Sequence, residues 1–277
     1  MAAVVLTWIG KSILPDLASY GKDQVAVVRV EGPILDSRKI VNELQDFGES
    51  PLVKAIVIRI DSPGGGVAPS QEIYNAVKRV RSEYNKTVVA SMGTVAASGG
   101  YYIAVASDRV LANPGTLTGS IGVIMQMANF EELLKKVGVK NFVIKSGRYK
   151  DIGSPFRTMK DDDRQLLQSV MDDVHRQFIE AVADGRSLDI AEVEVLADGR
   201  VFTGRQAKDT LLVDELGDLS DAIQLASKLS GIQGTPRVVE PVKEFSFRDM
   251  IEGSFLGKAS SMVLQSSWTP LMYLMVF

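Results

Sequence analysis

The feature that most limits the fold of this 277-residue chain is the alternation, from Gln24 onward, of short β-branched runs with longer stretches of helical periodicity. This alternation is typical of α/β domains, in which helices cover a largely parallel sheet. The predicted strands are residues 24–30, 55–60, 87–90, 109–111, 121–127 and 141–144. Residues 55–60 are almost entirely apolar, so we expect this strand to lie at the centre of the sheet, where both of its faces are covered.

Apolar residues recur three and four positions apart in residues 70–84, 130–137 and 161–182, which predicts three helices. The third helix is the longest, and its acidic first turn suits the positive end of the helix dipole. The chain contains no internal repeat and no convincing linker. We therefore expect one domain over residues 24–240, with helical appendages in its second half.

Both ends of the chain are apolar. Residues 1–23 include the run 2–9, which is shorter than the ~20 residues of a spanning helix. This run suits equally the end of a signal peptide or membrane anchor and a helix that packs on the domain. Residues 241–277 form a C-terminal extension with an apolar tail, and we expect that tail to pack on the chain's own core or a neighbouring subunit, or to lie in a membrane interface.

Composition excludes several classes of function. Lys and Arg number 31 against 34 Asp and Glu, for a net charge of -3, so the chain lacks the basic excess that a nucleic-acid partner requires. It has no cysteine, which excludes a disulfide, a thiolate nucleophile and a thiolate metal site. A single histidine, His175, excludes a histidine-rich metal centre. We expect neither a metal nor an organic cofactor.

Two glycine-rich stretches each follow an apolar run, at residues 61–66 and 96–100. Neither matches a phosphate-binding pattern. Backbone N–H groups in such stretches can instead form an oxyanion hole, which stabilises the negative oxygen that develops during acyl transfer. Ser98 would then be the nucleophile, although residues 96–100 taken alone favour a tight turn of small residues.

A nucleophilic serine needs a base. His175 lies within a predicted amphipathic helix among charged residues, where a solvated histidine is the ordinary interpretation, so a Ser-His-Asp triad is not predicted. A lysine can replace the histidine if burial lowers the pKa of its amine from about 10.4. Lys150, in a loop bounded by Gly147 and Pro155, is the candidate, and a surface lysine is the alternative interpretation.

Four motifs, in this order and spacing, resemble those of the signal peptide peptidase A family in its short, single-domain form. They are Ser62-Pro63-Gly64-Gly65-Gly66, Ala97-Ser98-Gly99-Gly100-Tyr101-Tyr102, Thr118-Gly119-Ser120-Ile121-Gly122-Val123 and Lys150-Asp151-Ile152-Gly153-Ser154-Pro155. The family comprises serine-lysine proteases of bacterial and archaeal membranes. The resemblance covers roughly residues 24–229 and does not clearly extend to either end of the chain.

The resemblance implies the α/β fold of the crotonase and caseinolytic protease P type, which is built from repeated ββα units. It assigns Ser98 as the nucleophile and Lys150 as the general base. Ser120 would hydrogen-bond the lysine amine and orient it. The N–H of Gly64 or Gly65, together with that of Gly99, would form the oxyanion hole.

The resemblance also implies what the protein acts on and where. Its substrates would be cleaved signal peptides and other hydrophobic peptides, cut at small or aliphatic residues. The protein would form a ring-shaped homo-oligomer with active sites shared between neighbouring subunits. It would associate with the cell membrane, with the catalytic domain on the extracytoplasmic side.

Two other readings remain open from the residues alone. A crotonase-type acyl-coenzyme A enzyme would use paired backbone N–H groups to bind a thioester oxygen, but we find no convincing carboxylate pair near the glycine stretches. A non-catalytic ring scaffold of the same fold would not need Ser98, Ser120 and Lys150 together. Labelling of Ser98 by a serine-directed acylating probe is expected only of the protease.

Overall fold

The computed structural model describes residues 23–241 and 272–274 of the chain. The strands of this part are β1 (Gln24–Glu31), β2 (Val53–Ser62), β3 (Gly64–Gly66), β4 (Thr87–Ala97), β5 (Arg109–Ala112), β6 (Leu117–Gly119), β7 (Val201–Thr203), β8 (Glu215–Leu216), β9 (Arg237–Val239) and β10 (Met272–Leu274). The helices are α1 (Arg38–Glu49), α2 (Val67–Ser82), α3 (Gly99–Ala104), α4 (Glu131–Lys136), α5 (Asp161–Arg186), α6 (Ile190–Leu196), α7 (Gly204–Asp209) and α8 (Leu219–Leu229).

The main sheet has the order β7-β6-β4-β2-β1-β9, and β5 pairs with β4 and β8 beside this path. Its pairings are parallel except that of β6 with β7. The long strand β4 pairs with β5 through its first half and with β6 through its last residues. A second, two-stranded sheet joins β10 antiparallel to β3.

Along the central strands, successive apolar side chains point to opposite faces of the sheet, and both faces are buried. In β1, Ala26, Val28 and Val30 pack in a large core with residues of α2, α3 and α5, whereas Val25 and Val27 face the smaller cluster on the other side. The smaller cluster is closed by α8. Burial on both faces explains why β2 reads as a nearly continuous apolar run.

The carboxyl ends of β2 and β4 meet at one edge of the sheet, where Ser62 is in register with Ala96. Both glycine-rich stretches therefore lie at this edge, which is where open α/β sheets place their ligand sites. Strands β2 and β3 with helix α2 make one ββα unit. The predicted α/β class, a largely parallel sheet covered by helices, is confirmed.

The structure corrects the secondary-structure prediction in the middle of the chain. Residues 121–127 form only a single bridge, at Ile124, and residues 141–144 form no strand. The side chains of Phe142, Val143 and Ile144 are 83%, 53% and 103% exposed. Their composition predicted a strand, but no strand within residues 23–241 and 272–274 pairs with them.

The expectations for residues 1–23 and 241–277 fall almost entirely outside the described residues. Within the described part, no helix is both long enough and apolar enough to cross a membrane. The predicted domain limits, 24–240, stay a prediction.

Candidate active site

Ser98 stands at the turn between β4 and α3, with φ 52° and ψ -117°. A residue with a Cβ adopts this conformation only under strain, and strained turns of this kind between a strand and a helix present nucleophilic serines in other hydrolases. The Ser98 N–H donates to the Gly119 carbonyl at 2.8 Å, and the Ser98 carbonyl accepts from Tyr102 N–H at 2.8 Å. Hydrogen bonds to two neighbouring elements thus hold the turn.

The side chain of Ser98 is buried, with 1% of the residue exposed. Its Oγ has no hydrogen-bond partner among the described residues. A buried hydroxyl without a partner destabilises a fold and is uncommon in native structures. Both features agree with a hydroxyl that is kept free for chemistry.

The hydrogen bonds of β3 show which of the two candidate glycines, Gly64 or Gly65, can supply an N–H to the oxyanion hole. Gly64 N–H donates to Ser62 Oγ at 3.1 Å, so this donor is already used. Ile34 bonds the Gly64 carbonyl at 2.9 Å and the Gly66 N–H at 2.8 Å. Because successive backbone groups of a strand point to opposite sides, the Gly65 N–H points away from Ile34, toward the cleft in front of Ser98.

Gly99 adjoins Gly65 closely. A Cβ built on Gly99 would lie 3.2 Å from Gly65 N and 2.5 Å from Ser70 Oγ. Gly99 is also the first residue of α3, and the N–H groups of a first helical turn have no partner within their helix. The two N–H groups that border the cleft are therefore those of Gly65 and Gly99.

Ser120 lies next to Ser98, because β6 pairs with the end of β4 and places Gly119 opposite Ala97. It has φ 51° and is 9% exposed, and its N–H donates to the Arg200 carbonyl at 2.8 Å. Its side chain lines a cavity of about 490 Å³, together with Ile124 and His175.

His175 projects from α5 toward this cavity. Its Nε2 and the Oγ of Ser98 are both buried without a hydrogen-bond partner in the described part of the chain, so the two are not bonded to each other. The arrangement gives no Ser-His pair.

The structure does not bring Lys150 to Ser98. Lys150 lies in an exposed loop after α4, and its ammonium has no hydrogen-bond or ion-pair partner within residues 23–241 and 272–274. Of the six predicted site residues, Ser98, Ser120, Gly64, Gly65 and Gly99 therefore gather at one edge of the sheet, and Lys150 does not join them. The base at Ser98 stays a prediction.

The loop around Lys150 is nevertheless anchored. The adjacent carboxylate of Asp151 accepts from Arg157 Nε at 2.9 Å and from Lys145 Nζ at 2.5 Å. Hydrogen bonds from Arg157 and then from Lys145 hold the pKa of Asp151 well below its usual range. Arg157 also bonds Asp163 in the first turn of α5, which ties the loop to the domain.

Sequence reasoning missed two participants of the site and gave no role to a third. Ile124 bonds Met272 in both directions, at 3.1 Å and 3.3 Å, and Met272 lies opposite Gly66 in the two-stranded sheet. Ser62 binds the Gly64 N–H, and it belongs to a motif that the sequence singled out. Nothing in the local sequence marks Ile124 or Met272, because their contact joins remote segments.

No group of three or more His, Asp or Glu side chains in the described part of the chain is arranged to hold a metal ion. The donors at the site are backbone N–H groups and hydroxyls. This set suits the transfer of an acyl group to a serine oxygen.

Comparison with known proteins places the chain among peptidases. The profile of Peptidase family S49 matches residues 81–233, and that of the Clp protease family matches residues 27–118. A "putative protease" of Synechocystis is 46% identical over 212 residues, which are 76% of each chain. A "putative signal peptide peptidase" of Enterococcus faecium is 35% identical over 191 residues, which are 69% of this chain and 55% of that protein. A chloroplastic "serine protease" of Arabidopsis thaliana is 34% identical over 226 residues, and only 33% of its length is covered.

Proposed function

The chain belongs to peptidase family S49, and from this membership we propose that it is an endopeptidase in which Lys150 activates Ser98. The family relationship itself supports a serine peptidase of the signal peptide peptidase A type. Our proposal goes further in three respects: the pairing of Ser98 with Lys150, the peptides that are cleaved, and the place where the enzyme acts. The fold is shared with Clp proteases, which agrees with peptide hydrolysis.

In the proposed reaction, Ser98 Oγ attacks the carbonyl carbon of a peptide bond while the neutral amine of Lys150 takes the hydroxyl proton. The carbonyl oxygen becomes an oxyanion that accepts hydrogen bonds from Gly65 and Gly99 N–H. Collapse of this intermediate breaks the C–N bond, and the lysine returns the proton to the leaving amine. Water then hydrolyses the acyl-serine by the same steps, and Ser120 orients the lysine amine.

One observation carries the proposal. The hydroxyl of Ser98 is buried, unpartnered and held in a strained turn, directly beside two glycine residues whose N–H groups face the same cleft. An unmade buried hydrogen bond costs about 1–3 kcal/mol, and Ser98 combines this cost with a positive φ, whereas Ser107, whose hydroxyl is also unpartnered, has no positive φ. The arrangement therefore supports a nucleophile beside an oxyanion hole.

We propose that Lys150 reaches Ser98 from a neighbouring subunit of a ring. Two findings support this: Ser98 Oγ has no hydrogen-bond partner among residues 23–241 and 272–274, and Lys150 belongs to a segment with many exposed apolar side chains. Those side chains are Phe130, Leu133, Val137, Val139, Phe142, Val143, Ile144, Tyr149 and Phe156. Exposed apolar patches of this extent mark association surfaces, and a second copy of the chain would bury the patch and complete the site.

We further propose that the substrates are cleaved signal peptides and other hydrophobic peptides, and that the enzyme acts at the cell membrane with its catalytic domain on the extracytoplasmic side. The similarity to the "putative signal peptide peptidase" of Enterococcus faecium supports the first part. The apolar side chains that line the cavity beside Ser120, including Ile124 and Met171, agree with a hydrophobic peptide.

Labelling by a serine-directed acylating probe tests the nucleophile. We expect the wild-type protein to be labelled and to cleave hydrophobic peptides, and Ser98→Ala to lose both activities while keeping its melting temperature. Ser107→Ala is the matched control, since Ser107 Oγ is also buried without a partner, and it should keep both activities. Undiminished labelling of Ser98→Ala would exclude Ser98 as the nucleophile.

A further inference from the structure

Strand β3 is held by hydrogen bonds on both sides of its central residue. The Gly64 N–H donates to Ser62 Oγ at 3.1 Å, and the Gly64 carbonyl accepts from Ile34 N–H at 2.9 Å. The Gly66 N–H donates to the Ile34 carbonyl at 2.8 Å, and the Gly66 carbonyl accepts from Ser70 Oγ at 2.8 Å. Every backbone polar group of the two flanking glycines therefore has a partner, and two of these partners are serine hydroxyls.

The bond to Ile34 sets the direction of the Gly65 N–H. The Gly64 carbonyl and the Gly65 N–H belong to one planar trans peptide unit, so they point in opposite directions. Because the Gly64 carbonyl is bonded to Ile34, the Gly65 N–H points to the other side, where Gly99 adjoins it. Any rotation of this peptide unit would turn the candidate oxyanion donor away from its neighbour.

Ser62 fixes the peptide unit that precedes this one. Its hydroxyl accepts from the N–H two residues ahead, across Pro63, which has no N–H of its own. Ser62 is fully buried, so its loss would leave the Gly64 N–H without a partner. A Cβ built on Gly100 would lie 3.0 Å from Ser62 O and 3.6 Å from Ser62 Cβ. Ser62 thus lies between β3 and the first turn of α3.

Ser70 fixes the far end of β3 and adjoins the second candidate donor. It is fully buried near the start of α2, and its hydroxyl donates to the Gly66 carbonyl. A Cβ built on Gly99 would lie 2.5 Å from Ser70 Oγ and 3.2 Å from Gly65 N. The Ser70 hydroxyl therefore lies against the backbone of Gly99 and limits how closely the two glycines can approach each other.

Taken singly, both bonds are of ordinary kinds. Serine hydroxyls often bond the N–H two residues ahead in turns and the carbonyl four residues back in helices. Ser82 makes the second kind of bond in the same helix, to the Lys78 carbonyl at 2.9 Å. Ser62 and Ser70 differ from Ser82 because their bonds end on the two residues that flank Gly65.

We propose that Ser62 and Ser70 are positioning residues of the oxyanion hole. Their hydroxyls hold β3 so that the two glycine N–H groups converge on the oxygen that becomes negative during peptide hydrolysis. Neither hydroxyl touches the reacting atoms. The inference rests on the proposed function and adds two residues to it. An interaction made only in the transition state affects kcat and leaves KM nearly unchanged, which gives this role a kinetic signature.

Ser62→Ala and Ser70→Ala test the inference in the full chain with a hydrophobic peptide that the wild type cleaves. We expect each variant to lower kcat about tenfold, since displacing a donor costs less than the roughly hundredfold effect of losing one. KM should change by no more than about twofold. The double variant should lower kcat by no more than about a hundredfold, because both serines act through the same N–H groups.

Two control variants separate positioning from a general loss of stability. Ser82→Ala removes the same kind of bond from the other end of α2. Ser91→Ala removes a buried hydroxyl that accepts from Arg59 Nη1 at 3.0 Å. Ser91→Ala should lower the melting temperature, and both controls should keep the wild-type kcat. An unchanged kcat in folded Ser62→Ala or Ser70→Ala, or an effect on KM alone, would overturn the inference for that serine.

A peptide aldehyde inhibitor separates this inference from the proposed function. Ser98 Oγ adds to the aldehyde carbon, the hydroxyl proton passes to Lys150, and the aldehyde oxygen becomes an oxyanion in the hole. The aldehyde should bind Ser62→Ala and Ser70→Ala about tenfold more weakly than wild type, in parallel with kcat. The substrate peptide should bind equally well when each variant is combined with Ser98→Ala.

The outcomes of the two measurements are distinct. Wild-type aldehyde affinity and wild-type kcat in both folded variants would refute the positioning role and keep the peptidase. A wild-type protein that neither hydrolyses the peptide nor binds the aldehyde would refute the proposed function, and this inference with it. Each serine variant is an independent test, so one that does not fold leaves the other to decide.

Discussion

At Gly65 the chemistry depends on the backbone of a single residue. The position must turn its N–H away from Ile34, to the side on which β10 pairs with β3, while the chain passes against Ile34. A Cβ there would lie 2.2 Å from Ile34 O and 2.5 Å from Ile34 N, and backbone atoms cannot move aside cheaply. Glycine at this position is therefore required by packing as well as by the proposed oxyanion hole.

We predict that Gly65→Ala lowers kcat/KM by at least about a hundredfold, because it displaces a donor whose loss in other hydrolases has an effect of that size. Its melting temperature should also fall. Peptide hydrolysis and thermal unfolding provide the two measurements. Gly115→Ala is the control, since a Cβ there meets nothing within 4 Å, and it should match wild type in both. Full activity in folded Gly65→Ala would place the oxyanion donor elsewhere.

At the scale of elements, the loop of residues 145–157 presents Lys150 on a fixed frame. Asp151 accepts hydrogen bonds from Lys145 and Arg157, and Arg157 also donates to Asp163 at the start of α5. The side chains of Asp151 and Arg157 are only 11% and 22% exposed. This network positions the backbone next to Lys150, although it contributes no atom to the reaction.

The hydrogen bonds of Asp151 predict how the stability of the loop depends on pH. The pKa of Asp151 is about 3.9 in an unfolded chain and is held lower in the folded protein by Arg157 and Lys145. Stabilisation by the carboxylate is therefore fully present above about pH 4 and is lost only as the pH falls through the lower, folded value. Hydrogen exchange of residues 145–157 should show the same protection at pH 7 and pH 5. Loss of protection already at pH 5 would contradict the anchoring role.

Asp151→Asn should remove this protection at both pH values and lower kcat/KM about tenfold, because Lys150 would no longer be held in place. Asp184→Asn, which breaks an exposed ion pair with Lys78, is the control and should change neither measurement.

At the scale of the whole molecule, the described residues of one chain do not complete the proposed site. The nucleophile, the glycine donors and Ser120 lie at the edge of the sheet, whereas Lys150 and the apolar residues around it are exposed. Head-to-tail contacts that close into a ring would place the lysine loop of each subunit at the serine of the next.

We predict that mixed subunits of Ser98→Ala and Lys150→Ala, each inactive alone, recover up to about a quarter of wild-type activity, since a random ring pairs an intact serine with an intact lysine at that fraction of its interfaces. Sedimentation of the mixture and peptide hydrolysis measure assembly and recovery. Lys140→Ala, on the same segment, should keep full activity by itself. No recovery despite demonstrated subunit exchange, or a fully active monomer, would refute the shared site.

The sequence alone determined the α/β class, the central position of β2, the helices that became α2 and α5, and the stretches that carry Ser98 and its neighbouring glycines. These features follow from periodicity and from backbone conformations that few residue types tolerate, and both are local properties. The same local reasoning failed at residues 121–127 and 141–144. There the composition favours a strand, but a strand forms only where a neighbouring strand is available for hydrogen bonding.

The tertiary structure decided which glycine faces the cleft, which segment fills it, and that Lys150 stands apart from Ser98. The choice of Gly65 over Gly64 depends on the side to which β3 turns its N–H groups, and that side is fixed by Ile34, some thirty residues earlier in the chain. The contacts of Ile124 with Met272 and of Tyr273 with Val174 join segments still more distant. Hydrogen bonds between remote segments leave no periodic trace in a sequence, so only the folded chain reveals them.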